Sequence, residues 1–324
     1  LKPQRILVVG ASGFVGKNLV PTIAKRARVR ILVRPTSNIE LFKNNDQIEI
    51  YFGNIETNQG LSQALQGIDI VIHCAAKTMG RSYWEFYNTN TLGTAHLLRA
   101  MQIQNVPKIL YLSSHAACGP CSTDTPRKEH QRSTPISFYG QTKKQAENQI
   151  RKSGLSFTIL RPVSVYGPHD KEILTYVKLL NSGISPIVGY GTKYINLIYV
   201  QDLVDLIVKI IDNDHFANNI YFVTDGQYYS VQALLEKITS ILHKKNIKIR
   251  VPAFLAMFIG LLNDVFVSPD KKLVTRDKIR ELACQYWMCS SERVVKTMEF
   301  KPKYSFDRGI VETVEWYKEQ GVLG

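Results

Sequence analysis

Arg5-Ile6-Leu7-Val8-Val9-Gly10-Ala11-Ser12-Gly13-Phe14-Val15-Gly16 is the stretch on which the fold turns. An unbroken apolar run, Ile6 to Val9, reads as a strand buried on both faces, the condition of a parallel sheet covered by helices. Glycines at 10, 13 and 16 follow at the strand-to-helix turn. In a G-x-x-G-x-x-G arrangement the first glycine allows the tight turn, the second lets backbone N–H groups approach a pyrophosphate, and the third lets the helix pack on the strand. The helix start adds partial positive charge for the anion. Gly10, Ser12, Gly13, Phe14, Val15 and Gly16 are therefore the candidate phosphate-holding residues of a dinucleotide site.

The rest of the first half repeats this rhythm. Apolar runs at Val29–Val33, Ile48–Phe52, Ile70–His73, Lys108–Leu112 and Phe157–Leu160 alternate with helical periods at Phe14–Lys25, Leu61–Leu65, Glu85–Gln104 and Tyr139–Lys152. Such alternation predicts an α/β chain with a doubly wound parallel sheet. After Pro168 helical segments dominate, at Lys171–Leu180, Leu203–Ile211, Val231–Leu242, Phe254–Leu262 and Asp307–Lys318. The expected organisation is a dinucleotide-binding domain over 1–168, with a return segment near 195–223, and a smaller, mostly helical C-terminal substrate domain over 169–324.

Composition narrows the partners. Of 324 residues, 44% are apolar and 21% charged, which excludes disordered and fibrous classes. The net charge of +14 is uneven: residues 1–165 carry 21 basic and 9 acidic side chains, residues 166–324 carry 20 and 18. A positive first half suits an anionic ligand. Five cysteines, an odd number, argue against a disulfide framework. The first residues run straight into a strand with no leader-like apolar region, and the longest apolar run, Ala253–Leu262, is too short to span a bilayer. These features lead us to expect a cytoplasmic protein with no integral membrane segment.

Three further positions carry chemistry. The second strand ends at Arg34, 24 residues after Gly10, where an NAD site would place an acid on the ribose 2′-OH. Arginine there suits a 2′-phosphate and favours NADP over NAD. Tyr139 and Lys143 stand four residues apart at a helix start, on one face. A neighbouring ammonium is expected to lower the phenol pKa and make Tyr139 a usable proton donor and acceptor. The strand Lys108–Leu112 runs into Ser113-Ser114, and a hydroxyl at such a strand end can hold a carbonyl or alkoxide oxygen.

Taken together, the glycine loop, Ser114 and Tyr139-x-x-x-Lys143 resemble the extended short-chain dehydrogenase/reductases, the NAD(P)-dependent epimerase/dehydratase family. Further stretches look alike: Val71-Ile72-His73-Cys74-Ala75-Ala76, Asn90-Thr91-Leu92-Gly93-Thr94, Arg161 to Pro168 and Tyr199-Val200-Gln201-Asp202. The resemblance implies a Rossmann-type sheet, Tyr139, Lys143 and Ser114 as the catalytic set, and Lys143 on the nicotinamide ribose. It also implies that Ala75, Ala76, Lys77 and Pro162 to Val165 line the cofactor. Asn54, followed by Ile55, stands where the family usually has an adenine-contacting Asp. Cys118 replaces a tyrosine frequent in sugar-nucleotide epimerases, and the tail from Val251 to Tyr317 is more like the dihydroflavonol-reductase and hydroxysteroid-dehydrogenase branch. A homodimer through the Glu85–Gln104 and Tyr139–Lys152 helices is implied too, with Phe86, Leu97, Leu98, Met101, Ala146 and Ile150 as its apolar stripe.

The expected activity is hydride transfer between nicotinamide and a secondary alcohol or ketone carbon. The alternatives are a nucleotide-sugar epimerase or dehydratase that retains its cofactor, and a dinucleotide sensor without catalysis. Other motifs have bland readings. Cys118-Gly119-Pro120-Cys121 lacks the thioredoxin context, and His115 and His130 have no zinc spacing. His73 at a strand end reads as packed. The basic runs Arg26–Arg30 and His243–Lys245 lack a nucleic-acid motif and read as solvated surface.

Overall fold

The computed structural model describes residues 4–266 and 275–323. Seven strands, β1 (Arg5–Val9), β2 (Arg28–Val33), β3 (Ile48–Phe52), β4 (Ile70–His73), β5 (Lys108–Leu112), β6 (Ser156–Pro162) and β7 (Asn219–Val223), form one sheet. Their order is β7-β6-β5-β4-β1-β2-β3, and every pair is parallel. The chain winds outward from β1 to β3, then crosses to β4 on the other side of β1. At that reversal the loops after β1 and β4 diverge and leave a crevice, the usual ligand site of such sheets.

Alternation along β1 sorts the core. Ile6 and Val8 point to the face covered by α1 (Phe14–Ala24), while Leu7 and Val9 point to the face covered by α2 (Leu61–Leu65). On α2's face a helical run follows: α3 (Tyr83–Phe86), a π-helical turn over Tyr87–Leu92, and α4 (Gly93–Ile103). Beside it lies α5 (Phe138–Lys152), capped by the Ser137 hydroxyl on Gly140 N–H at 3.0 Å.

The remaining helices are α6 (Lys171–Asn181), α7 (Val200–Asp212), α8 (Val231–Ile241), α9 (Ala253–Phe266), α10 (Arg276–Ala283), α11 (Glu292–Met298) and α12 (Phe306–Glu319). Of these α7 joins α1 on the sheet through Leu203, Val204 and Ile207. A separate core gathers α6, α8 and α12 around Val177, Leu180, Leu234, Ile238, Ile310 and Val314. This half also holds short strands, among them Ile184–Val188, Ile247–Val251 and Tyr286–Trp287.

One expectation is corrected here. The stripe assigned to a dimer is not available to a partner: Phe86, Leu97, Leu98, Met101, Ala146 and Ile150 are all buried within the chain. Except for Phe86 they join the β1 side chains Leu7 and Val9 in one core. A single amphipathic arc serves one neighbour, and the sheet takes it. The basic run is also partly neutralised, with Arg26 on Asp212 at 2.9 Å and Arg30 on Glu49 at 2.7 Å.

Candidate active site

The glycine loop is packed as its sequence requires. Gly10 has φ +95°, and a Cβ there would stand 2.4 Å from Ala75 N, so the loops after β1 and β4 touch at this point. A Cβ on Gly16 would fall 2.3 Å from Gly10 O. At Gly13 the space is open: an added Cβ meets only Gly10 O, at 3.2 Å. Gly13 is also the N-cap residue of α1 and brings no side chain to its first turn. A concave loop, a helix start without a side-chain cap and open space above it fit a pyrophosphate. Phe14, Val15, Cys74 and Val165 all rest on the same core beneath this crevice.

Arg34 lies exposed just past β2. Its carbonyl accepts from Ser37 N–H at 2.9 Å, and the Ser37 and Ser12 hydroxyls are 3.3 Å apart, so the turn after β2 leans on the glycine loop. Asn54 follows β3, where the resemblance puts the adenine contact. Its side-chain oxygen accepts from Glu56 N–H at 2.9 Å and closes a local turn. Ile55 is buried, and its carbonyl meets His96 Nδ1 at 2.8 Å.

Across the crevice the structure brings Ser114, Tyr139 and Lys143 together. The Tyr139 phenol lies near the Ser114 hydroxyl, whose Oγ accepts from Ala116 N–H at 3.1 Å. Lys143 is 1% exposed; its Nζ donates to Leu112 O at 2.6 Å and sits 4.1 Å from the Tyr111 ring centroid. Burial pulls the lysine down from 10.5 to about 7, against the opposing pull of Cys74 and Glu147. Burial likewise pushes the Cys74 thiol up to about 12.

The tyrosine does not follow the expected direction. Burial first, then Glu281, raises the phenol above its ordinary value, while the nearby Ser114 hydroxyl lowers it only in part. The physical reason is geometric: the Lys143 ammonium is aimed at Leu112 O, and the carboxylates nearest the phenol, Glu281 and Glu172, oppose its ionisation.

Several residues that shape the site were not among the sequence candidates. Asn90, buried in the π-helical turn, accepts from Lys77 N–H at 2.8 Å and donates to Lys77 O at 3.1 Å and Thr142 Oγ1 at 3.1 Å. It ties the Ala75–Lys77 segment to α5, a use typical of π-turns at functional sites. Its stretch was noticed, but nothing in its spacing marked the side chain. Glu147, one turn beyond Lys143, makes a buried fork with Arg161 at 2.8 and 2.7 Å and accepts from Ser113 at 2.7 Å. From α10, Asp277 accepts from Phe138 N–H at 2.7 Å and Tyr139 N–H at 3.2 Å, and Glu281 accepts from Ser137 Oγ at 2.6 Å.

A family model described as the NAD dependent epimerase/dehydratase family matches residues 6–223. The chain belongs to this family. It is an NAD(P)-dependent oxidoreductase or epimerase/dehydratase of the extended short-chain dehydrogenase/reductase class, whose chemistry turns on hydride exchange between nicotinamide and an oxygen-bearing carbon. Its relatives include the N-acetyl-alpha-D-glucosaminyl-diphospho-ditrans,octacis-undecaprenol 4-epimerase of Escherichia coli O157:H7, 26% identical over 97% of this chain and 95% of the relative. The ceramide reductase of Caulobacter vibrioides is 25% identical over 98% and 96%. Among solved structures, a UDP-glucuronic acid 4-epimerase from Bacillus cereus in complex with NAD superposes with TM-score 0.79 at 20% identity, covering 98% of this chain and 99% of that one.

The decoy motifs of this epimerase/dehydratase family member have plain structural roles. Cys118 and Cys121 are both free thiols, and Cys121 Sγ donates to Met288 O at 2.9 Å. His115 is buried against Phe222 and Trp287, with its pKa lowered by burial to about 3. His73 is buried, bonded to Thr94 Oγ1 at 3.0 Å, and burial lowers its pKa to about 3 as well. Among the described residues no cluster of potential ligands could hold a metal, and no helix is long and apolar enough to cross a membrane.

Proposed function

We propose that the protein is a net oxidoreductase acting on a secondary alcohol or ketone, with Ser114, Tyr139 and Lys143 as its catalytic residues. The observation that carries this reading is the hydroxyl pair Ser114–Tyr139 beside the buried Lys143, across the crevice from the open glycine loop. A nicotinamide dinucleotide, when bound, supplies the hydride-exchanging carbon. Gly10, Ser12, Gly13, Phe14, Val15 and Gly16 would hold its phosphates, with Ala75, Ala76, Lys77, Pro162 and Val165 along the crevice and Asn54 and Ile55 near the adenine end.

Tyr139 holds the proton that is given to the substrate oxygen as a carbonyl becomes an alcohol, and takes it back in the reverse direction. The high phenol pKa suits the donor role, since the proton stays on the oxygen until a receiving alkoxide develops. Ser114 steadies that same oxygen through its hydroxyl. Lys143, poised near neutrality with its Nζ on Leu112 O, would meet the nicotinamide ribose. Arg34, exposed beside Ser37 and Ser12, supports NADP over NAD.

The reading as an epimerase with retained cofactor is favoured by one finding, the 26% identity to the Escherichia coli 4-epimerase. A screen of ketones and UDP-sugars, following nicotinamide absorbance and sugar products, separates the two. Exchangeable cofactor with net absorbance change on a ketone supports the reductase; tightly retained cofactor with sugar isomerisation and no net change refutes it. We assign cofactor binding to 1–168 with the return segment 195–223, and substrate binding to 169–324. Five free thiols support a reducing compartment such as the cytoplasm. A homodimer through the outer faces of the α3–α4 run and α5 would set Trp84, on α3 and 65% accessible, against its partner. Light scattering at twice the chain mass is the expected result.

A further inference from the structure

Helix α9 starts two residues after the strand Ile247–Val251, and together they present an apolar surface. Within α9 the inward line is Ala256 and Gly260. Ala256 is buried, and a Cβ on Gly260 would come 2.6 Å from Ile279 and 3.1 Å from Arg276 N, so the helix sits on α10 along that line. Opposite it, Phe254 (78% exposed), Leu255, Phe258, Ile259 and Leu261 all face outward. At helical spacing these five fill one broad face.

The two-stranded sheet leading into α9 continues the pattern. Ile247, Ile249 and Val251 stand across from Ile184, Pro186 and Val188 in a parallel ladder. Ladder partners share a face, and on this one Ile247 is 73% exposed, with Ile184 and Ile249 exposed as well. The same stretch is strongly basic. Lys244, Lys245 and Arg250 are exposed, Lys248 is exposed but paired with Glu236 at 2.7 Å, and no acid occurs between His243 and Asn263.

Contiguous exposed apolar surface marks an interaction site, and the charges choose its occupant. Alternation along the strand sets Lys248 and Arg250 on the side away from Ile247 and Ile249, so the apolar face is flanked by cations rather than covered by them. A bilayer with anionic headgroups takes both features at once: apolar side chains enter the acyl boundary while lysine and arginine stay at headgroup level. With 14 residues, α9 is too short to span a bilayer and long enough to lie on one. We infer that the Ile247–Leu261 face docks this protein on an anionic lipid surface. The docked helix is one contact from the catalytic helix, since α10, which receives Gly260, also holds the Phe138 and Tyr139 N–H groups through Asp277.

Vesicle flotation with the full chain tests this without substrate or cofactor, so its outcome is separate from that of the turnover screen. The wild type is expected to float with phosphatidylcholine vesicles containing phosphatidylglycerol, less so as salt rises, and to stay behind with phosphatidylcholine alone. The exposed-site variant Phe254→Asp/Phe258→Asp should lose partitioning by about tenfold or more while keeping its circular dichroism and thermal unfolding. Lys244→Gln/Lys245→Gln should lose roughly tenfold on anionic vesicles. Equal partitioning into neutral and anionic vesicles, or no flotation with either, overturns the inference. So does a dimer that Phe254→Asp/Phe258→Asp converts to monomer, because a second copy would then be what covers the face.

Discussion

Replacing Lys143 by Met should stabilise the protein near neutral pH and destabilise it in alkali, while abolishing turnover. The lysine is sealed inside the fold, and burial moves it from 10.5 to about 7. Such a displacement corresponds to roughly 5 kcal/mol of disfavour for the ammonium in the native state. Methionine has similar volume and carries no charge, so the variant escapes that cost. It also leaves Leu112 O without the 2.6 Å bond from Nζ, which costs about 1–3 kcal/mol. The net expectation at pH 7 is a gain of about 2–4 kcal/mol. Because the folded pKa lies below the unfolded one, the unfolded chain holds more protons between about 7 and 10.5, and wild-type stability rises with pH across that window. Near pH 10 the burial cost has gone and only the lost bond remains, so the sign of the difference reverses. Paired urea unfolding of wild type and variant at several pH values isolates Lys143, since all other titrations are common to both. A variant that is less stable at pH 7, or a difference that does not change with pH, would refute the reasoning. A lysine kept at such a cost is held for what it does in the site.

Tyr139→Phe keeps the ring and removes the proton-bearing oxygen; turnover should fall by at least about a hundredfold while dinucleotide affinity, read by calorimetry, stays within a few-fold. Arg34→Ala should erase a preference for NADP(H) worth about 1.5 kcal/mol or roughly tenfold, the low end for a charged contact because the side chain is exposed; equal affinities in the wild type would reject the assignment. Glu147→Ala strands Arg161 in the core beside Ser113 and should cost about 3–5 kcal/mol by urea unfolding. Although burial pushes the Glu147 carboxyl up, Arg161 holds it below the usual range, so its stabilisation is present above about 4.5 and is lost as pH falls through the lowered value.

The parts of the site legible in the sequence are those set by local periodicity. Strands such as Ile6–Val9 are continuous apolar runs because helices cover both faces, and the glycine loop follows the strand that needs it. Tyr139 and Lys143 share a face by helical spacing alone. Strand Ile247–Val251 also has a local signature, the Ile-Lys-Ile-Arg-Val alternation, which the sequence reading does not include. Other features have no local signature. The π-turn that places Asn90 depends on tertiary packing. Asp277 lies 139 residues from Phe138, whose N–H it accepts. The phenol pKa was misjudged because i,i+4 spacing fixes a shared face but not where the ammonium points. The supposed dimer stripe was real as a pattern and wrong as an interface, since periodicity shows that a helix has an apolar face and not what covers it.

The Asp277 contact shows why the two halves of the chain cannot be treated as separate modules. The first turn of α5 contains no acidic residue, although a helix start favours negative charge. The substrate-side half supplies it across space, with one carboxylate on the Phe138 and Tyr139 N–H groups and a second on the Ser137 cap hydroxyl. Lys278, on the same helix, is tied to Glu172 of α6 at 2.8 Å, which anchors α10 to the rest of that half. The consequence runs both ways. Packing in the C-terminal half sets where the catalytic tyrosine begins its helix, and Glu281 helps keep its proton in place. A substitution in α10 that never touches substrate should therefore alter proton transfer. If the C-terminal half takes substrate as proposed, a change of substrate preference made through α10 is also a change in the surroundings of Tyr139.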